Sequence, residues 1–407
     1  MKSFEERKAE VMLRSEKIVK NRKKRNKIIL TLVPLVVCLC ALSAAAVPTV
    51  FSGKKNTAPE SSVNETASET ESETYAASEV PPQNTTPTGG SSARLPMLEI
   101  SKDEGGYGCE AYWAYDISEL ENANPWNKEM KLSTLPVFKT AADTLVRDAE
   151  FAEMEKFLKE IADKLELNSG TLNITENPSE LSAESDGIKL KVDRTMLLTV
   201  TLDPAVALPQ KYDFSYYAPF DSMKTAAEYL KEKYRTLFDG KKYALNLYGG
   251  DYDIYLRQHY YISFYCAEGD DTQKIINYNF NKIYFSPDDS GRLFFIRIDR
   301  TNLSDKVGDY PIITVEKAEE LLKAGKYVTS VQHTFNGNEN IAKVELIYRN
   351  APWDKYYMPY YRFYVETPYE EMGDMKKYGL KEYGAYYVPA VEERYISNMP
   401  LWDGSFN

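Results

Sequence analysis

The sequence predicts an α+β protein: an N-terminal transmembrane helix, a disordered stalk, and an ectodomain of about three units, each a helix followed by antiparallel hairpins. Three observations predict it. An uncharged run of 24 residues, Ile28 to Phe51, follows a basic head. A segment without Lys or Arg, from Asn56 to Ala93, comes next. Beyond it, stretches of helical periodicity alternate with runs rich in β-branched and aromatic residues.

The head, residues 1–27, carries 11 Lys and Arg against four Glu. At about 1.5 Å per residue, the apolar run 28–51 is long enough for a hydrocarbon core of roughly 30 Å. The cationic flank is N-terminal, so the head is expected in the cytoplasm and the rest outside, a single-pass signal-anchor in the cell membrane. The rival reading is a signal peptide cleaved near Ala44-Ala45-Ala46. Phe4, Val11 and Ile18 lie seven apart, a narrow apolar stripe on a charged helix. Residues 52–94 are dominated by Ser, Thr, Glu and Pro; such a linker buries too little apolar area to order itself.

The remainder divides into an extracytoplasmic α+β region, 95–312, and a second α+β unit, 313–407. The first helix is expected over 140–167, with Phe151, Met154, Leu158, Ile161 and Leu165 on one face. The second is expected over 221–238, with Met223, Ala227, Leu230, Tyr234 and Leu237 as its stripe, Asp221 as its N-cap and Gly240 as its stop. The third, 314–324, has Thr314 as cap and Val315, Ala318 and Leu322 facing inward. Strands are expected at 188–192, 196–202, 243–248, 252–266, 275–285, 292–298, 328–334, 342–348, 360–366 and 384–388. Asp288-Asp289-Ser290-Gly291 reads as a hairpin turn.

Ile313-Thr314-Val315-Glu316-Lys317-Ala318-Glu319-Glu320-Leu321 resembles the opening of a PepSY-like module. Met358 to Val365 and Tyr386 to Ala390 resemble its closing strands. The layout is also similar to the YycH/YycI group of extracytoplasmic regulators and to single-pass envelope proteins of Firmicutes, Gram-positive bacteria. That resemblance covers roughly the C-terminal 80 residues. It implies regulation or inhibition at the cell envelope and carries over no functional residue.

A net charge of −11 argues against nucleic acid as a partner. Four Cys in 407 residues exclude a disulfide scaffold. Cys109 and Cys266 are read either as a disulfide closing a loop of about 157 residues, or as two buried thiols. His259 and His333 stand without a flanking catalytic motif, and no cofactor or metal motif is found, so no catalytic residue is assigned. The acidic turns at Asp251/Asp253, Asp270/Asp271 and Asp288/Asp289 read as turn chemistry rather than calcium loops. All but one of the 32 Tyr lie beyond residue 94. Tyr260, Tyr261, Tyr356, Tyr357, Tyr360 and Tyr361 form the candidate binding surface, since exposed Tyr anchors a protein partner or stacks on a sugar.

The function expected is that of a membrane-anchored, extracytoplasmic, non-enzymatic binding or regulatory protein with a membrane-protein or cell-wall partner. The alternatives are a hydrolase of wall polymers, and a sigma-factor regulator acting through the cytoplasmic head.

Overall fold

A computed structural model describes residues 95–101, 110–140, 148–350, 354–368 and 375–404. Its strands are β1 (Ala111–Ala114), β2 (Thr134–Lys139), β3 (Thr175–Asn177), β4 (Glu180–Ser185), β5 (Ile188–Asp193), β6 (Leu197–Val206), β7 (Tyr243–Tyr252) and β8 (Gln258–Cys266). They continue with β9 (Asn281–Pro287), β10 (Leu293–Arg300), β11 (Lys306–Pro311), β12 (Val328–Thr329), β13 (Ile341–Tyr348), β14 (Tyr356–Tyr357), β15 (Pro359–Thr367) and β16 (Lys381–Pro389). Among the described residues there are four α-helices: α1 (Asp148–Lys164), α2 (Phe220–Lys233), α3 (Asp271–Phe280) and α4 (Val315–Lys323).

The strands form three antiparallel sheets, and strand outweighs helix. This corrects the expected α+β series of helix-plus-hairpin units. The eight-stranded sheet runs β3-β4-β5-β6-β10-β9-β8-β7. It is two four-stranded meanders joined where β6 pairs with β10, Val200 opposite Ile296. The hairpins expected to serve separate helices therefore share one sheet, and α1 and α2 cover the same face of it. Met154, Leu158 and Ile161 of α1 and Met223, Ala227 and Leu230 of α2 meet Val200, Ile262, Phe264, Phe285 and Ile296 in one core. The five-stranded sheet runs β1-β16-β15-β13, with β12 also on β16; the third sheet is β11-β2-β14.

A second correction concerns 275–285. Ile275 to Phe280 is helix, and only from Asn281 does the chain extend as β9. Asp270 decides the matter: its side chain accepts the Gln273 N–H at 2.8 Å and starts α3. Ile275, Ile276 and Phe280 then pack beside Val315, Ala318 and Leu322 of α4. Asp270→Ala is expected to lower the unfolding free energy by about 1 kcal/mol in urea denaturation, with faster amide exchange in the first turn of α3.

A third correction concerns the membrane. No helix among the described residues is long and apolar enough to cross a membrane, so the expected single-pass anchor and the cell-membrane placement built on it are not supported. The run 28–51, the basic head 1–27 and the linker 52–94 lie outside the described residues.

The acidic turns use their carboxylates on the backbone. Asp288 accepts the N–H groups of Ser290 and Arg292, both at 2.9 Å, closing the β9–β10 hairpin. Asp253 accepts those of Tyr255 and Arg257 at 2.8 and 3.1 Å between β7 and β8.

Candidate functional site

Strand alternation builds the site. On β7, β8 and β9 the residues Leu247, Ile262, Phe264, Ile283 and Phe285 face the helices. Their neighbours Asn246, Tyr248, His259, Tyr261, Lys282 and Tyr284 therefore point to the other side of the sheet. There they meet Ile347, Arg362, Tyr364 and Tyr387 of the five-stranded sheet across a cleft of about 610 Å³. Tyr278 and Asn279 at the end of α3 also line it, as do Glu110, Tyr112 and Asn122 from the N-terminal side.

The two sheets are sewn together around this cleft. Glu121 and Gly249 exchange backbone hydrogen bonds at 3.0 and 3.3 Å. The Ala123 N–H donates to Asn246 Oδ1 at 2.7 Å, and Asn124 Nδ2 donates to the Leu346 carbonyl at 3.1 Å. The Tyr348 N–H donates to Asn279 Oδ1 at 3.1 Å, and Asn279 Nδ2 donates back along α3 to the Ile275 carbonyl at 2.8 Å. The walls are held by the protein's own hydrogen bonds, so the cleft is formed without an occupant.

Most charges at the cleft are spoken for. Glu345 of β13 is buried and accepts from Arg362, from Lys343 Nζ at 2.8 Å and from Asn122 Nδ2 at 2.5 Å. Burial pushes its carboxyl up, but the two cations and the amide outweigh burial and lower it to about 2. Behind Tyr284, Arg297 clasps the buried Asp299 at two points, 2.7 and 2.9 Å. Glu110 accepts the Tyr387 hydroxyl at 2.9 Å. Asp251 lies 3.4 Å from His259 Nε2, and burial raises its carboxyl above the ordinary range.

Lys282 differs. Its ammonium lies over the rings of Tyr278 and Tyr284 at 5.1 and 5.7 Å and makes no hydrogen bond or ion pair among the described residues. Burial lowers it to about 8; Asp299 opposes that, while Arg297 and Arg362 add to it. Burial likewise pushes up the phenols of Tyr112, Tyr278, Tyr284, Tyr364 and Tyr387, which stay protonated donors far above neutral pH.

Tyr216, 38 % exposed, forms a lip beside the cleft. Its ring stacks on His259 at 5.4 Å and 8°, and its hydroxyl bonds that of Tyr261 at 2.7 Å. His259 Nδ1 is buried with no hydrogen-bond partner. Arg257 lies 3.8 Å over the neighbouring Tyr217 ring.

Of the six Tyr expected as a binding surface, Tyr261 lines the cleft. Tyr260 belongs to the core under α2, Tyr357 and Tyr361 to the core around α4, and Tyr360 to a third cluster with Tyr310, against which Tyr356 packs half-buried. They do not gather into one exposed face, because β-strand alternation sends neighbours such as Tyr360 and Tyr361 to opposite sides of the sheet. His259 lines the cleft; His333 bonds Glu339 at 2.8 Å and does not. Cys266 is a buried free thiol at the end of β8, and Cys109 lies outside the described residues. Sequence reasoning passed over Lys282, Arg362, Tyr278 and Asn279. The signal for Lys282 was its alternation with Ile283 and Phe285, which marks the polar face of a strand whose other face lies in the core.

Among the described residues no three of His, Cys, Asp and Glu come together as a metal-ligand set. Among the described residues the cleft offers phenol donors, aromatic faces, the carboxylates of Glu110, Glu121 and Asp251, and in Lys282 a cation without an ion pair, a set suited to recognition of a polar molecule. No family model matches the chain, and no curated protein matches it either.

Proposed function

We propose that this chain is a non-enzymatic binding protein whose inter-sheet cleft holds a small polar ligand. The observation that supports this reading is the construction of the cleft. Its 610 Å³ lies within the range of about 300–1,000 Å³ typical of ligand sites, and its walls are fixed before anything binds. Tyr248 and Tyr261 stack at 5.2 Å and give a ring face, while the phenols of Tyr112 and Tyr278 give hydroxyls. The carboxylate Glu345 is held by three partners and serves the architecture, not proton transfer.

The test is a thermal-shift screen of the full chain against small polar compounds, followed by calorimetry. At least one compound is expected to raise the melting temperature and to be recovered unchanged. Tyr248→Ala is expected to weaken it by about tenfold, from the lost ring face. If the bound compound is consumed, the chain is an enzyme. If no small molecule binds and Tyr248→Ala changes nothing, the cleft is not a ligand site.

A further inference from the structure

We infer that the ligand of the cleft is an oxyanion, a small molecule bearing a carboxylate or phosphate group, and that Lys282 Nζ receives that group. The inference rests on the cleft being a ligand site and deepens it by naming the ligand's chemistry.

The argument is one of charge accounting between the two sheets. Arg362 and Lys343 share Glu345. Arg297 is matched by Asp299 through two bonds. Glu110, which accepts the Tyr387 hydroxyl, Asp251, which faces His259, and Glu121 are further carboxylates of the lining, and no ion pair joins any of the three to Lys282. Lys282 is left with two ring faces and no carboxylate in contact. Lys282 is half-buried in the cleft wall, and a partly desolvated cation without a counterion is costly, so proteins pair such groups or keep them for a ligand. Cation–π contacts with Tyr278 and Tyr284 offset a part of that cost, about 0.5–2 kcal/mol in general. They leave the three ammonium hydrogens without acceptors. The surrounding donors fit the same occupant. The phenols of Tyr112, Tyr278 and Tyr284, which line the cleft and stay protonated, donate to oxygen, and charge-assisted bonds to an oxyanion are the strong ones. A carboxylate or phosphate set on Lys282 completes the ion pair that the protein leaves open.

The experiment uses the full chain and three probes, inorganic phosphate, D-glucuronate and D-glucose, by thermal shift and calorimetry at constant ionic strength. The variants are Lys282→Met and Lys282→Gln, both neutral, and Lys282→Arg, which keeps the charge. Phosphate or glucuronate is expected to bind the wild type at least tenfold more tightly than glucose does. Both neutral variants are expected to lose that preference, and Lys282→Arg to keep it within a few fold. Binding of phosphate alone assigns the headgroup as phosphate, and binding of glucuronate alone as carboxylate. Lys282→Met is also expected to melt no lower than wild type, because it removes a half-buried cation that makes no ion pair. If glucose binds as tightly as glucuronate, or the neutral variants hold anions unchanged, the anion assignment falls while the cleft stands as a ligand site. If none of the probes binds and the neutral variants melt well below the wild type, Lys282 is structural and the assignment falls as well.

Discussion

Replacing Arg362 by Met is expected to lower the unfolding free energy by about 3–5 kcal/mol. Arg362 sits on β15 opposite Glu345 on β13 and Tyr387 on β16, in the middle of the five-stranded sheet. Its Nε donates to Glu345 Oε2 at 3.1 Å, and its Nη2 bonds the same oxygen. Glu345 is 3 % exposed, so it cannot turn to water when its partner goes. Lys343 and Asn122 remain, which places the effect nearer the lower figure. The double variant with Glu345→Leu is expected to recover much of the loss, because it leaves no buried carboxylate unpaired. Lys343 then keeps its bond to the Leu120 carbonyl at 3.1 Å. Urea denaturation of the two single variants and the double variant measures the coupling. A single-variant cost under about 1 kcal/mol would show that the pair does not organise the sheet.

The same pair sets a pH dependence. The folded carboxyl of Glu345 is lowered from 4.5 to about 2, below its unfolded value. Its contribution is therefore complete above pH 4.5 and is lost as the pH falls toward 2. A shift of that size corresponds to about 3 kcal/mol. The stability difference between wild type and Arg362→Met should be full at neutral pH and shrink across that acid window. Glu339 is also lowered to about 2, where His333 and Asn336 outweigh its burial, but it is the same in both proteins and cancels.

The local elements were legible because their signals are local. The α4 stripe, the Thr314 cap and the Asp288 hairpin each lie within a few residues, and each is what those residues do in the structure; of the second stripe Met223, Ala227 and Leu230 hold, but α2 ends at Lys233, a 3-10 turn carries Leu237, and Pro219 rather than Asp221 precedes the first turn. The architecture was not, because it depends on pairings far apart in the chain. The β6–β10 ladder joins 197–206 to 293–300, and β1 joins 111–114 to β16 at 381–384. Nothing in either strand names its partner. The error at 275–285 is a different kind. Ile275-Ile276 and Ile283 both look like strand, and only the cap at Asp270 separates helix from strand.

The site was less legible than the fold for the same physical reason. Tyr richness pointed toward binding, but Tyr also fills cores, and Tyr327, Tyr383 and Tyr386 are fully buried here. The cleft is made by residues whose meaning comes from the opposite sheet. Lys282 is an ordinary strand Lys until β13, β15 and β16 close over it and Glu345 and Asp299 prove to be paired with Arg362 and Arg297.

Gly250→Ala is the second change expected to be severe, at about 2–5 kcal/mol. Gly250 sits on β7 at φ +94°, where an L residue is strained. A Cβ there would lie 1.8 Å from the Glu119 carbonyl oxygen and 2.9 Å from its carbon, which are backbone atoms with no rotamer to yield. The strain contributes about 1–2 kcal/mol, and the overpacking about 1–3. The clash falls on the seam between the sheets, beside the Glu121–Gly249 backbone bonds and the Gln258 side chain that donates to the Gly250 carbonyl at 3.0 Å. Displacing Glu119 moves Asn122 and Ala123, so the cleft should loosen along with the fold. Gly240→Ala separates the two causes: it has a similar φ of +67° and nothing within 4 Å of a new Cβ, so it carries strain alone. Urea midpoints should fall much further for Gly250→Ala than for Gly240→Ala, and amide exchange at Glu121 and Gly249 should quicken only in the former. Equal midpoints for the two variants would mean that the seam tolerates a methyl group and is not the rigid frame on which the cleft depends.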